Sequence, residues 1–182
     1  ALSPEADRYP GRLGGSISLA GNPQDRRTFN GQVQLDVTRT DLINSPVLAG
    51  LHRALSLELG PPRPEGTAQL RARLEGQTVQ ISEFAYTNRG LHARGTGTVR
   101  DISEGMDSPI KGYVAGSVRP FASIDIPVFA DATKAIGAIA ESVTPLVIGG
   151  TIDSPTVGSA NLREVSDDLR NLLVGAARGP GN

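Results

Sequence analysis

Apolar and polar residues alternate along most of this chain, which is the pattern of strands with one buried face. The clearest run spans residues 29–37, where Phe29, Val33, Leu35 and Val37 are separated by polar residues or glycine. An earlier run with Leu13, Ile17 and Leu19 predicts a half-buried strand of the same kind. Further strands are predicted at residues 67–74, 79–86, 91–99, 110–118 and 146–148. Because short turns rich in Gly, Pro and Asn connect these runs, about seven strands are predicted in meander order.

The apolar positions change from odd to even residue numbers within one predicted strand. Val79 and Ile81 share one parity, whereas Phe84 and Tyr86 share the other. Since successive side chains of a strand point to opposite faces, one extra residue is needed to keep all four on the same face. The sequence therefore predicts a β-bulge near Glu83.

Three segments show the helical spacing of apolar residues. Ser45 and Pro46 form an N-cap and first-turn pair ahead of an apolar stripe that continues to Leu59. The full prediction is an α+β fold with a curved, mostly antiparallel sheet and three amphipathic helices covering its apolar face or ends. Its parts are a tail at 1–10, a sheet domain at 11–160 with helices near 45–59 and 127–143, a C-terminal amphipathic helix at 161–178, and a tail at 179–182.

Composition restricts the possible partners and chemistry. The 182 residues include 38% hydrophobic but only 4% aromatic side chains, and the net charge is −1. This balance provides no bulk attraction to nucleic acid, so no nucleic-acid partner is predicted. There is no cysteine, which excludes disulfides and thiolate chemistry. No apolar run approaches the ~18 residues needed to span a membrane.

Catalytic signatures are missing from the sequence. His52 and His92 have no second ligand at metal-binding spacing, and the serine in Gly14-Gly15-Ser16 lacks the glycine that completes a nucleophile elbow. The glycines at 95 and 97 lie within a predicted strand and not at a strand-to-helix turn, which excludes a dinucleotide fingerprint. We therefore predict no catalytic residue, no metal, no cofactor and no enzymatic activity.

The two faces of the predicted sheet differ in character. The outward positions carry six basic residues with few acids between them, and an ordinary solvated face is favoured over a surface for headgroups or nucleic acid. The inward positions combine aliphatic residues with Gly95, Gly97, Gly112 and Gly116. Such a face suits either close helix packing or a smooth trough for acyl chains. The basic positions are Arg71, Arg73, Arg94, Arg100, Lys111 and Arg119.

The order of these elements resembles the C-terminal portion of the AsmA-like family, which includes TamB-type and YhdP-type bacterial envelope proteins. The resemblance covers about residues 12–160 and rests on degenerate structural motifs. The matching segments are 29–35 (FNGQVQL), 47–59, 68–81, 88–99 (NRGLHARGTGTV), 126–127 (IP) and 145–155 (PLVIGGTIDSP).

The resemblance implies the periplasmic part of a bacterial envelope protein that is membrane-anchored in its full-length form. Such bridge-like proteins serve phospholipid transport or outer-membrane biogenesis, with acyl chains held on an apolar sheet face. The implied lipid-binding residues are Val33, Leu35, Leu70, Leu74, Val79, Ile81, Leu91, Gly95, Gly97, Val99, Val114 and Val118.

Two further expectations accompany this prediction. Gly97→Leu or Val114→Asp is expected to abolish lipid binding in a folded protein. The alternative function is a structural capping or docking module that binds an envelope protein partner through the C-terminal helix. That alternative predicts an exposed apolar patch around residues 169–173.

Overall fold

The chain folds around one antiparallel sheet of eight strands, each hydrogen-bonded to its neighbours in sequence. The computed structural model describes residues 11–40, 42, 45–55, 65–88, 90–123, 139, 141–161, 165 and 167–178. The sheet is open and curved, and it confirms the predicted α+β class and the meander order. Its strands are β1 (Arg12–Asn22), β2 (Asp25–Thr40), β3 (Gly66–Glu75), β4 (Thr78–Asn88), β5 (Leu91–Val99), β6 (Ile110–Ser117), β7 (Thr144–Gly150) and β8 (Pro155–Ser159).

The strand register places the predicted inward residues on one face. Residues that pair across adjacent strands point to the same side of a sheet, so a row of partners defines a face. We call this side the apolar face. One such row contains Ile17, Val33, Ala72, Ile81, Gly97, Gly112 and Ile148. The next row contains Gly15, Leu35, Leu70, Phe84, Gly95, Val114 and Leu146.

The predicted bulge lies in β4. Glu83 pairs with Arg71 and Ile81 with Ala72, so Ser82 is the extra residue between them. The shift returns Phe84 and Tyr86 to the face that already holds Val79 and Ile81, as their parity required. The β3–β4 hairpin turns at Gly76 and Gln77, with Gly76 at a φ of 61°.

Helix α1 (Pro46–Ala54) covers part of the apolar face. The Ser45 hydroxyl accepts a hydrogen bond from the backbone N–H of Leu48 at 3.4 Å, and Pro46 begins the helix, as predicted. Although α1 follows β2 in the chain, it packs against β7 and β8. Leu48 and Leu51 are buried there with Tyr86, Leu91, Ala93, Val114, Leu146 and Ile148.

Helix α2 (Asp167–Arg178) covers the opposite face. Leu169 and Leu173 of this helix are buried together with Ala115 of β6 in a second core, which also contains Phe121, Ile139, Val143 and Val165. Ala115 has the opposite parity to Val114, so this core lies on the other side of the sheet. The half of the sheet around β5–β7 is thus packed between helices on both faces, an arrangement that the sequence did not predict.

Several boundaries differ from those predicted. Pro155–Ser159 forms an eighth strand where only a turn was expected. The last helix starts at Asp167 and not near residue 161, since Asn161 is irregular and Val165 lies in a bend. Val118 was expected to face inward, but β6 ends at Ser117 and Val118 is 53% exposed. The predicted tails, the end of the first helix and most of the helix near 127–143 lie outside the described residues.

Candidate functional site

The apolar face divides into a covered part and a part on which no described helix lies. The covered part belongs to the core beneath α1. The other part consists of five half-buried aliphatic side chains on β2, β3 and β4, which we call the floor. None of the five packs against either hydrophobic core in the described part of the chain. The floor residues are Val33, Leu35, Leu70, Val79 and Ile81.

The floor extends onto β1, where the side chains are openly exposed. Leu13 is 70% exposed, Ile17 is 62% exposed and Leu19 is 56% exposed. They pair with Val37, Val33 and Gly31, so they continue the apolar rows to the first strand of the sheet. Sequence reasoning identified their alternation but predicted a half-buried strand. The three residues form an exposed apolar stripe along β1, and such stripes are candidates for contact with a ligand or a partner.

Five other predicted lipid-binding residues are covered by the protein itself. Leu91 and Val114 are buried in the core beneath α1. A Cβ on Gly95 would lie 2.7 Å from the Val114 side chain, so that glycine is already covered. Leu74 and Val99 are also buried, at 8% exposure each. Five of the twelve predicted residues therefore belong to packed structure.

Gly97 does not open a groove for a ligand. A Cβ there would lie 2.9 Å from the carbonyl oxygen of Lys111, and a Cβ on the paired Gly112 would lie 2.6 Å from that of Thr96. The two glycines are required because the backbones of β5 and β6 approach each other closely. Gly97→Leu would clash with the neighbouring strand and is therefore expected to disrupt folding, unlike the expectation from sequence.

The opposite face is polar along β1–β4 and carries a charged cluster at the bulge. Glu83 accepts from the guanidinium of Arg94 at 2.6 Å, and its second oxygen lies 3.1 Å from Arg71. The side chains of Glu83 and Arg94 are 15% and 29% exposed, so their ion pair is partly desolvated, whereas Arg71 is 60% exposed. The two ion pairs join three adjacent strands at the point where the bulge interrupts the regular ladder.

Glu83→Gln is expected to destabilise the fold by about 1–3 kcal/mol, since it leaves two arginines without their partly buried counter-charge. The matched control is Glu75→Gln, whose side chain is 48% exposed and lies 3.8 Å from Arg73. That change is expected to cost at most ~0.5 kcal/mol. Urea denaturation of the three proteins measures the difference, and equal midpoints would show that the cluster does not hold the bulge.

Clefts lined by described residues lie around the sheet. One of about 730 Å³ lies between α2 and the polar face and is lined in part by Arg100, Lys111 and Asp168. A second of about 440 Å³ lies over the polar residues of β1–β4. The third, of about 270 Å³, lies at one end of the apolar face between Leu19, Leu74 and Ile102. The floor is thus an open surface and not an enclosed cavity.

The histidine and carboxylate side chains of the described residues show little clustering. His92 lies between Thr87 and Ser117 on the neighbouring strands, and its partial burial lowers the pKa of the imidazole. In the described ranges, no three of the His, Asp and Glu side chains converge as a metal site would require. Neither α1 nor α2 has the length and apolar character needed to cross a bilayer, and the same holds for every helix within the described residues.

Comparison with known proteins identified no relative. No family model, no curated protein and no solved structure matches this chain.

Proposed function

We propose that this chain is a non-catalytic, lipid-handling module of a bacterial envelope protein, in which the floor and β1 hold the acyl chains of phospholipids. The observation that supports the proposal is the contiguous apolar surface of Val33, Leu35, Leu70, Val79 and Ile81, extended by the exposed residues of β1. In the described part of the chain, no helix of the protein covers this surface. The resemblance to AsmA-like proteins supports the same function and a periplasmic location.

The dimensions of the floor suit an extended acyl chain. Residues 31–37 of β2 span about 20 Å at ~3.4 Å per residue, and β1–β4 are about 14 Å across at ~4.8 Å per strand. Acyl chains lying along the strands would contact aliphatic side chains on one side while their headgroups remain in water. No covalent step is needed.

The expected affinity per acyl chain is modest because an open surface buries only one side of that acyl chain. Full burial of a methylene group contributes ~0.8 kcal/mol, so contact along one side contributes roughly half of that. Each acyl chain of about sixteen carbons then gains about 6 kcal/mol, so the two chains of a phospholipid gain about 12 kcal/mol before the cost of immobilising them. Affinity of this size favours a surface that both accepts and releases lipid.

Lipid binding is tested by native mass spectrometry and lipid extraction of the chain purified from a bacterial host. The wild type is expected to carry about one phospholipid per protein chain. In Leu35→Asp the amount of bound phospholipid is expected to fall at least about five-fold, because an acyl chain lying over the floor would have to desolvate the new carboxylate. The matched control is Gln34→Asp, which places the same group on the other face of the same strand.

Two results would contradict the proposal. One is a folded wild type that carries no lipid after gentle purification, and the other is equal lipid loading in both aspartate variants. Circular dichroism on each sample separates loss of binding from loss of folding.

The alternative function, docking of a protein partner through the C-terminal helix, has less support. Leu169 and Leu173 are buried in the second core, and Leu172 is half-buried. The apolar stripe of α2 is therefore directed toward the sheet, and no exposed patch is formed around residues 169–173.

A further inference from the structure

Among the described residues, strand β1 is an edge strand without the usual protection. It is the outermost of the eight strands, and all eleven of its residues are exposed. From Leu13 to Asn22 it contains no charged residue and no proline. Natural edge strands are normally shielded by charges, prolines or short length, because their unpaired backbone groups bind other strands. The opposite edge has such protection, since β8 has only five residues and starts at Pro155.

The exposed side chains of β1 and its open backbone edge point to the same kind of occupant. Leu13, Ile17 and Leu19 continue the rows of the apolar face, while Gly14, Ser16 and Ser18 continue the other face. A helix or a loop would cover the side chains but leave the backbone groups of the edge unpaired. An added β-strand satisfies both, because it supplies hydrogen-bonding partners and extends the apolar rows.

We propose that this occupant is β1 of a second copy of the chain, paired antiparallel about a two-fold axis that passes through Ser16. In this register Leu13 lies opposite Leu19 of the second copy, and Gly15 lies opposite Ile17. The bulky Ile17 meets a position without a side chain, and Leu19 meets another leucine. The match is self-complementary, as an isologous interface requires.

In this register no like charges of the two β1 strands face each other. Residues 13–19 are uncharged, and Arg12 lies opposite Ala20 of the second copy. A Cβ at Gly14, opposite Ser18, would have no heavy atom within 4 Å in the single chain, so the polar face has room there for the Ser18 side chain of the second copy. The apolar face then runs without interruption from one copy into the other. The dimer does not depend on lipid binding, and it doubles the surface proposed for lipid.

Cysteine cross-linking tests the register directly because the chain has no cysteine of its own. Directly opposed residues of antiparallel strands lie within disulfide distance. Ser16→Cys is therefore expected to form a covalent dimer under mild oxidation at micromolar concentration. Ser18→Cys is the matched control, since each Cys would lie four residues, or about 13 Å, from its symmetry mate and is expected to remain reduced.

Sedimentation equilibrium of the full chain gives the second readout. The wild type is expected to form a concentration-dependent dimer, and Ile17→Lys is expected to weaken it at least about ten-fold while circular dichroism remains unchanged. Thr156→Lys on the exposed face of β8 should have no effect. A wild type that stays monomeric up to about 200 μM, or cross-linking of Ser18→Cys as fast as Ser16→Cys, would overturn the proposal.

Discussion

Val114→Asp is expected to prevent stable folding at neutral pH. Val114 is 4% exposed in the core beneath α1, and its side chain lies over Gly95. A carboxylate at this position has no cationic partner in the described core and would be removed from water. The expected loss is about 4–5 kcal/mol or more, which is comparable to the total stability of many domains of this size.

Val33→Asp provides the comparison, since it makes the same change on the same face at a half-buried position of the floor. There the carboxylate keeps contact with water, and the expected cost is at most ~2 kcal/mol. Circular dichroism and urea denaturation distinguish the two variants. If both proteins fold with similar stability, Val114 is not covered as described and the division of the apolar face is incorrect.

Leu51→Ala is expected to lower the free energy of unfolding by about 3–5 kcal/mol. Leu51 is fully buried, and a Cβ placed on Gly116 would lie 2.6 Å from its terminal carbon, so the side chain rests directly on β6. Truncation removes the main contact between α1 and the centre of the sheet and leaves a cavity that the rigid strands cannot close.

The control for this truncation is Leu19→Ala on β1, which removes the same atoms from a side chain that is 56% exposed. That variant is expected to stay within ~0.5 kcal/mol of the wild type. Urea midpoints measured on the same day for all three proteins give the difference. A cost for Leu51→Ala below ~1.5 kcal/mol would show that α1 is only loosely held.

Much of the sheet was predictable because its signals are local. The alternation on β2 and β3, the turn at Gly76 and the parity change at Glu83 each depend on a few neighbouring residues, and the structure confirms all three. The eighth strand was missed because Pro155–Ser159 is short and contains one large aliphatic residue, Val157. A pattern of that length is indistinguishable from a turn by periodicity alone.

The extent of the candidate site was less predictable, because it depends on where the helices lie. Leu35 and Val114 have the same alternation in sequence, yet one belongs to the floor and the other is buried beneath α1. The apolar stripe of α2 likewise does not indicate which face it covers. Ala115, the residue that receives Leu169 and Leu173, is too small to stand out as an apolar position. Which part of the sheet each helix covers is determined by long-range contacts, and no single segment of the sequence encodes it.

The meander order also has a mechanical consequence. In the described part of the chain, each strand is hydrogen-bonded to its neighbours in sequence, and helices pack on both faces around β5–β7. Tension entering from the N-terminal side therefore loads one ladder at a time, so β1 and β2 can separate from the sheet in succession. The force meets its main resistance from β3 onwards, because Ala68 of β3 and Tyr86 of β4 are buried with the leucines of α1. The sheet thus combines an extensible N-terminal edge with an anchored remainder.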